Sequence, residues 1–182
     1  MKDRANQEVL NSRQYTYDAF VIYCQKDSRW VVRQLIHRLE TDDHFRLCIH
    51  ERDWLAGENI ADNIIDSIEN SRKTLVIVSN AFLQSRRCQY EMMMAQTRHI
   101  TEDRNNLILV LMEEIAEVNK TPRLRLQMQT QTYVEWTSSE VGQQLFWARL
   151  TQAMRRRAER VSDSCTGLPV ESLFHVTSTS HE

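Results

Sequence analysis

Four cysteines, six histidines and three glycines limit the chemistry that this 182-residue chain can carry. Cys48 and His50 stand two residues apart and could look like a metal-ligand pair. A zinc site needs about four ligands, and Cys24, Cys88 and Cys165 are scattered with no CxxC spacing. The expected reading is a strand cysteine followed by a loop histidine, with no metal and with the thiols reduced in the cytosol. The glycines are Gly57, Gly142 and Gly167, so neither GxGxxG nor GxxxxGK can be written. Those two phosphate cradles are therefore excluded. No GxSxG elbow is present; no local motif sets Ser, His and Asp together, and a dispersed triad stays open. Asp27 stands without the clustered acids of a phospho-receiver, and the last apolar segment is followed by Trp136 rather than lysine.

Two other groups of residues suggest contact rather than catalysis. Residues 50–59 carry Glu51, Arg52, Asp53 and Glu58 around Trp54 and Leu55. Such a connection is too polar to bury and longer than most. It is expected to expose Trp54 and Leu55, and an aromatic in a charged loop is a binding hot spot in waiting. The plainer alternative folds Trp54 back onto the domain and leaves the charges to solvate the loop. Arg155, Arg156, Arg157 and Arg160 form a basic cluster. It could touch an acidic lipid leaflet, although cations favour a helix carboxyl end for local reasons, and that reading leads.

The elements that would position these residues follow from hydrophobic period. Tyr17–Tyr23 (YDAFVIY) is a short apolar run suited to a strand buried on both faces. Asp27 offers an N-cap, and Val31, Leu35 and Leu39 repeat at helical spacing through Glu40. Arg46–Ile49 reads as a second strand, and Ile60, Ile64 and Ile68 mark one face of a second helix. Thr74–Val78 is a third strand; Ser79 and Asn80 are capping candidates for a third helix over Phe82–Ile100. Leu107–Met112 is the fourth strand, followed by an irregular segment through Pro122. Tyr133–Trp136 fits an edge strand. Thr137 with Glu140 reads as a capping box for a helix carrying Leu145, Phe146, Leu150 and Met154. Strand and helix alternate, which predicts a doubly wound parallel sheet of five strands with helices on both faces.

The chain is long enough for one ordinary core. Residues 1–14 read as a flexible leader, 15–160 as the domain, and 161–182, rich in Ser and Thr, as a disordered tail. A formal charge of -2 provides no field that would gather nucleic acid. The longest apolar runs, Ala19–Cys24 and Leu107–Met112, are six residues each, against roughly 20 for a spanning helix. The first ten residues, MKDRANQEVL, hold no apolar core of a secretion signal.

Three segments in register resemble the TIR (Toll/interleukin-1 receptor) domains of Toll-like receptors, over roughly residues 17–157. Tyr17, Asp18, Ala19 and Phe20 open a segment similar to the family's box 1. Arg52, Asp53, Trp54, Leu55, Ala56 and Gly57 resemble box 2, the BB loop. Phe146 and Trp147 resemble box 3. The resemblance implies a flavodoxin-like fold and an intracellular signalling role on the cytoplasmic side of a plasma or endosomal membrane. It also implies attachment through a segment outside this chain, self-association with another receptor TIR domain, and recruitment of TIR-domain adaptors. The implied contact residues are Arg52, Asp53, Trp54, Leu55, Ala56, Gly57 and Glu58, with Tyr90, Met93 and Met94 on the third helix. Box 1 and box 3 are read mainly as core.

The chain departs from the pattern in places. Ala56 stands where the family commonly has proline, which would hold φ near -65°; this leaves the choice of adaptor open. Arg87 stands where tryptophan is usual, and Ile22 where serine is usual. Along the third helix, Cys88, Met92, Ala95 and His99 share the face expected to pack on the sheet, while Tyr90, Met93, Met94 and Thr97 point elsewhere. Some TIR domains cleave nicotinamide dinucleotide through a glutamate on this helix, and Glu91 matches that position. An NAD-cleaving hydrolase is therefore an alternative, as is a free-standing adaptor. The leading expectation is a binding module with no cofactor, in which Glu91 is a solvated surface carboxylate.

Overall fold

The computed structural model describes residues 15–101, 106–130 and 133–156, without the side chains of residues 99–101 and 130. The leader 1–14, the tail 161–182, Cys165, Arg157, Arg160 and the side chain of His99 lie outside the described residues. Five strands pair in the order β2-β1-β3-β4-β5, and every pairing is parallel. They are β1 (Tyr17–Ile22), β2 (Leu47–Ile49), β3 (Ser71–Val78), β4 (Leu107–Leu111) and β5 (Tyr133–Glu135). This is the doubly wound, flavodoxin-type order, whose switch point lies between β1 and β3.

The central strands carry apolar residues at consecutive positions because both their faces are covered. Phe20, Ile22, Val76, Val78, Leu109 and Leu111 pack on one side. They meet Ile64 and Ile68 of α3 (Ile60–Glu69), Phe82 and Leu83 of α4 (Asn80–Gln84), Cys88, Met92 and Ala95 of α5 (Arg86–Thr101), and Leu124 of α6 (Pro122–Thr130). Ala19, Val21, Tyr23, Leu75, Ile77 and Val110 face the other way. There they meet Val31, Leu35 and Leu39 of α1 (residues 28–42) and Phe146, Leu150 and Met154 of α7 (Glu140–Arg155). Helix α1 starts as Ser28–Trp30 and continues as Val31–Asp42, wound in the wider π pattern. A further short helix, α2 (His50–Asp53), directly follows β2.

Several local expectations are corrected. Asp27 precedes α1 but makes no side-chain cap; its carboxylate accepts instead from the Ser79 hydroxyl at 2.6 Å. Ile60 is exposed at the start of α3, whose buried stripe is Asn63, Ile64, Ser67 and Ile68. The helix expected over Phe82–Ile100 is two helices, α4 and α5, because Ser85 adopts extended backbone between them. Ser79 caps α4 through Phe82 N–H, whereas Asn80 reaches across to Glu113, Ala116 and Asn119. The segment beyond β4 is irregular up to Thr121, apart from one 3-10 turn at Glu117–Asn119, as expected; the unexpected element is α6, which begins at Pro122, a residue that suits a first helical position because its missing N–H has no partner to lose there. The α7 cap is Ser139, accepting from Gly142 N–H at 3.1 Å, and Thr137 accepts from Ser139 N–H instead of capping the helix. Leu145 faces solvent.

Candidate partner-binding face

The polypeptide leaves β2 directly beside the carboxyl end of β1, and residues 50–59 divide there into an anchored half and a free half. In the anchored half, the Asp53 carboxylate accepts from Ile49 N–H at 2.7 Å and from Arg52 Nε at 3.0 Å. Arg52 also donates to both carboxylate oxygens of Glu40 at 3.0 Å and to the Leu47 carbonyl at 2.5 Å. Glu40 and Asp53 hold the Arg52 guanidinium firmly protonated. Two of the charges expected to solvate a loop thus close it onto the end of β2.

Trp54 corrects the expectation of an exposed aromatic. Its ring is half-buried and packs on the core, with centroids 6.2 Å from Phe20 and 5.7 Å from His50. The indole N–H donates to the Ser67 hydroxyl at 2.9 Å. Ser67 in turn donates to the Asn63 carbonyl at 2.7 Å, and its hydroxyl oxygen accepts from Cys48 Sγ at 3.5 Å. A tryptophan with a partner for its polar edge can lie against apolar surface without stranding a donor. His50 stacks on Tyr23 at 4.8 Å; burial, then the charge of Arg87, pushes its pKa below the usual histidine value. Burial raises the Cys48 thiol to about 11.

The free half is Leu55–Asn59. Leu55 is 68% exposed, and Ala56, Gly57 and Glu58 are exposed beside it. Gly57 sits at φ 92°, which L side chains rarely adopt, and a Cβ there would meet open space. Glycine is required by the backbone and not by crowding. Asn59 ends the segment, accepting from Ala61 N–H at 2.8 Å to cap α3.

Helix α5 meets the anchored half through Arg87, which lies over the Trp54 ring. Tyr90 and Met93 are exposed, as expected, whereas Met94 is half-buried against the core. Glu91 corrects the reading of a solvated carboxylate: it is 2% exposed and accepts from Arg87 Nε at 2.9 Å. Burial raises its pKa above the ordinary carboxylate value, and the Arg87 hydrogen bond and charge oppose that rise. Helix phase explains the burial, because 88, 91, 92 and 95 fall on one side. Nothing in the sequence marks Arg87 or Ser67 for these contacts. The phase of Glu91 was the one available signal, since the reach of Ser67 to Trp54 depends on the fold.

The other boxes are structural. Ala19 and Phe20 are buried in β1, Tyr17 is half-buried, and Asp18 accepts from Arg46 N–H at 2.8 Å and pairs with Arg72 at 3.6 Å. Phe146 is 1% exposed, and Trp147 packs edge-on against it at 4.9 Å. One groove of about 740 Å³ is lined by Arg38, Trp147 and Arg155, and another of about 750 Å³ by Glu113, Glu135 and Trp136; neither is lined by Glu91. Among the described residues, no three His, Cys, Asp or Glu are grouped to hold a metal ion, and no helix is long and apolar enough to cross a membrane.

The three boxes therefore sit at the first strand, the loop after the second strand and the last helix of one sheet, and residues 16–171 match the TIR domain family. The chain belongs to the TIR domain family. It is 44% identical over 143 residues to Toll-like receptor 2 type-2 of Gallus gallus, covering 76% of this chain and 18% of that protein. It is 42% identical over 147 residues to Toll-like receptor 2 of Ovis aries, covering 79% and 19%. The chain thus spans about a fifth of the length of these relatives. The TIR domain of the Toll-related receptor TRR-2 from Hydra magnipapillata superposes with a TM-score of 0.63 at 26% identity, covering 78% of this chain and all of that one. A metazoan TIR-STING receptor from C. gigas superposes at 0.58 and 25% identity, covering 80% and 42%.

Proposed function

We propose that this TIR domain is the intracellular signalling module of a Toll-like innate immune receptor. It lies on the cytoplasmic side of a plasma or endosomal membrane, attached through a segment outside this chain. It associates with another receptor TIR domain and recruits TIR-domain adaptors through the box 2 loop and α5. The observation that carries this reading is the exposed Leu55 tip on an anchored base, whose Trp54 meets Arg87 of the helix that also exposes Tyr90 and Met93. An apolar tip on a fixed mount loses little conformational freedom on docking. Adaptable methionines suit modest-affinity contacts, and clustering at a membrane multiplies them. The contacts assigned to Trp54, Arg52 and Asp53 become indirect: these residues shape the segment while Leu55, Ala56, Gly57 and Glu58 meet the partner. Capture of a purified adaptor TIR domain by the Leu55→Ala and Ala56→Pro variants tests this. Leu55→Ala is expected to lower capture several-fold; unchanged capture in both variants counts against the assignment.

The NAD-cleaving alternative assigns Glu91 a catalytic carboxylate. Its burial and its bond to Arg87 favour a structural role, since a reacting carboxylate must reach substrate. Steady nicotinamide release by the purified domain, abolished by Glu91→Gln, would establish the alternative.

A further inference from the structure

One side chain joins the two surfaces just described. The Arg87 guanidinium carbon lies 5.7 Å from the centroid of the Trp54 ring, and Arg87 Nε donates to Glu91 at 2.9 Å. Both partners are themselves fixed. Glu91 is buried on the inner face of α5, and Trp54 is gripped by Phe20 and by the Ser67 hydroxyl. A planar guanidinium can donate to a carboxylate and lie against an aromatic face at once, which the point charge of lysine reproduces poorly. Arg87 thereby bridges Trp54, from which the exposed segment Leu55–Asn59 departs, to a helix packed on the sheet. Tyr90 and Met93 follow Arg87 on that helix by about 4.5 and 9 Å of axial rise.

We propose that Arg87 is a positioning residue: it sets where the box 2 tip stands relative to Tyr90 and Met93, so that the two surfaces meet a partner TIR domain as one face. This rests on the partner-binding reading above, and the test separates the two. Backbone hydrogen exchange of residues 54–59 reports the bridge without any partner. Arg87→Ala is expected to speed that exchange about fivefold while leaving the exchange of β3 and β4 unchanged. Arg87→Lys, which keeps a charge for Glu91, is expected to restore less than half of the protection. In a Trp54→Leu background, Arg87→Ala is expected to add nothing, as a double-mutant cycle requires of two coupled groups. Equal acceleration in both backgrounds, or none in either, overturns the bridge.

Capture of the purified adaptor TIR domain supplies the second arm. Loss of capture in Arg87→Ala to the level of Leu55→Ala supports the proposal. Loss in Leu55→Ala with full capture in Arg87→Ala overturns the positioning role and leaves the partner-binding reading standing. Full capture in both overturns that reading, and the positioning role with it, even where exchange shows the bridge.

Discussion

Trp54 and Phe146 are both aromatic rings from family boxes, yet they are held by different means. Phe146 is surrounded by Trp30, Trp136 and Trp147 at centroid distances of 6.3, 5.1 and 4.9 Å, each meeting it edge to face. Its support is apolar contact and nothing else is needed. Trp54 lies on the core by one face, with Arg87 at 5.7 Å from its ring, and is tied through its N–H to Ser67. Its support is a few directional contacts, each individually breakable. The difference teaches what each box does: box 3 contributes stability through volume, whereas box 2 contributes position through polar handles.

Four substitutions or conditions sharpen or break that contrast. Phe146→Ala should carry the largest effect, a loss of about 3–5 kcal/mol from transfer and cavity terms together. Urea denaturation measures it, and a loss below about 1 kcal/mol would mean that box 3 collapses around the gap. Ser67→Ala should cost about 1–3 kcal/mol by leaving the indole donor without its acceptor. It should also change Trp54 fluorescence. An unaltered emission spectrum would show that the handle does not position the ring.

Acidification should act on box 2 through His50. Its folded pKa lies below the ordinary 6.5, so the unfolded chain takes up the proton first. The contribution is therefore intact above about pH 6.5 and is lost as pH falls through the folded value. His50→Phe should flatten that part of the stability profile while sparing the rest; an unchanged slope assigns it elsewhere. The smallest effect belongs to Leu55→Ala, within about 0.5 kcal/mol in stability, because the side chain is exposed. A larger loss by thermal melting would show that the tip is part of the fold.

The sheet was legible because TLVIV and LILVLM can only be central strands, and their periods survive without tertiary information. Helix α6 was missed because PRLRLQMQT alternates leucine with arginine and carries no clear stripe, although Pro122 at its start was a usable signal. Caps were misplaced by one or two residues: Thr137 and Ser139 are both competent, and the backbone conformation decides between them. Box 2 was half legible. Composition identified a polar connection with an apolar tip, but the inward turn of Trp54 depends on Ser67, thirteen positions along the chain. The burial of Glu91 follows from helix phase once Cys88, Met92 and Ala95 are set against the sheet.

The outer strands, Leu47–Ile49 and Tyr133–Glu135, are three residues long. Such stubs expose too little unpaired backbone to recruit a foreign chain by strand addition. Fibre growth along the sheet is thereby disfavoured. Contacts with other chains are left to side chains at loop and helix surfaces, which separate more readily than a paired backbone.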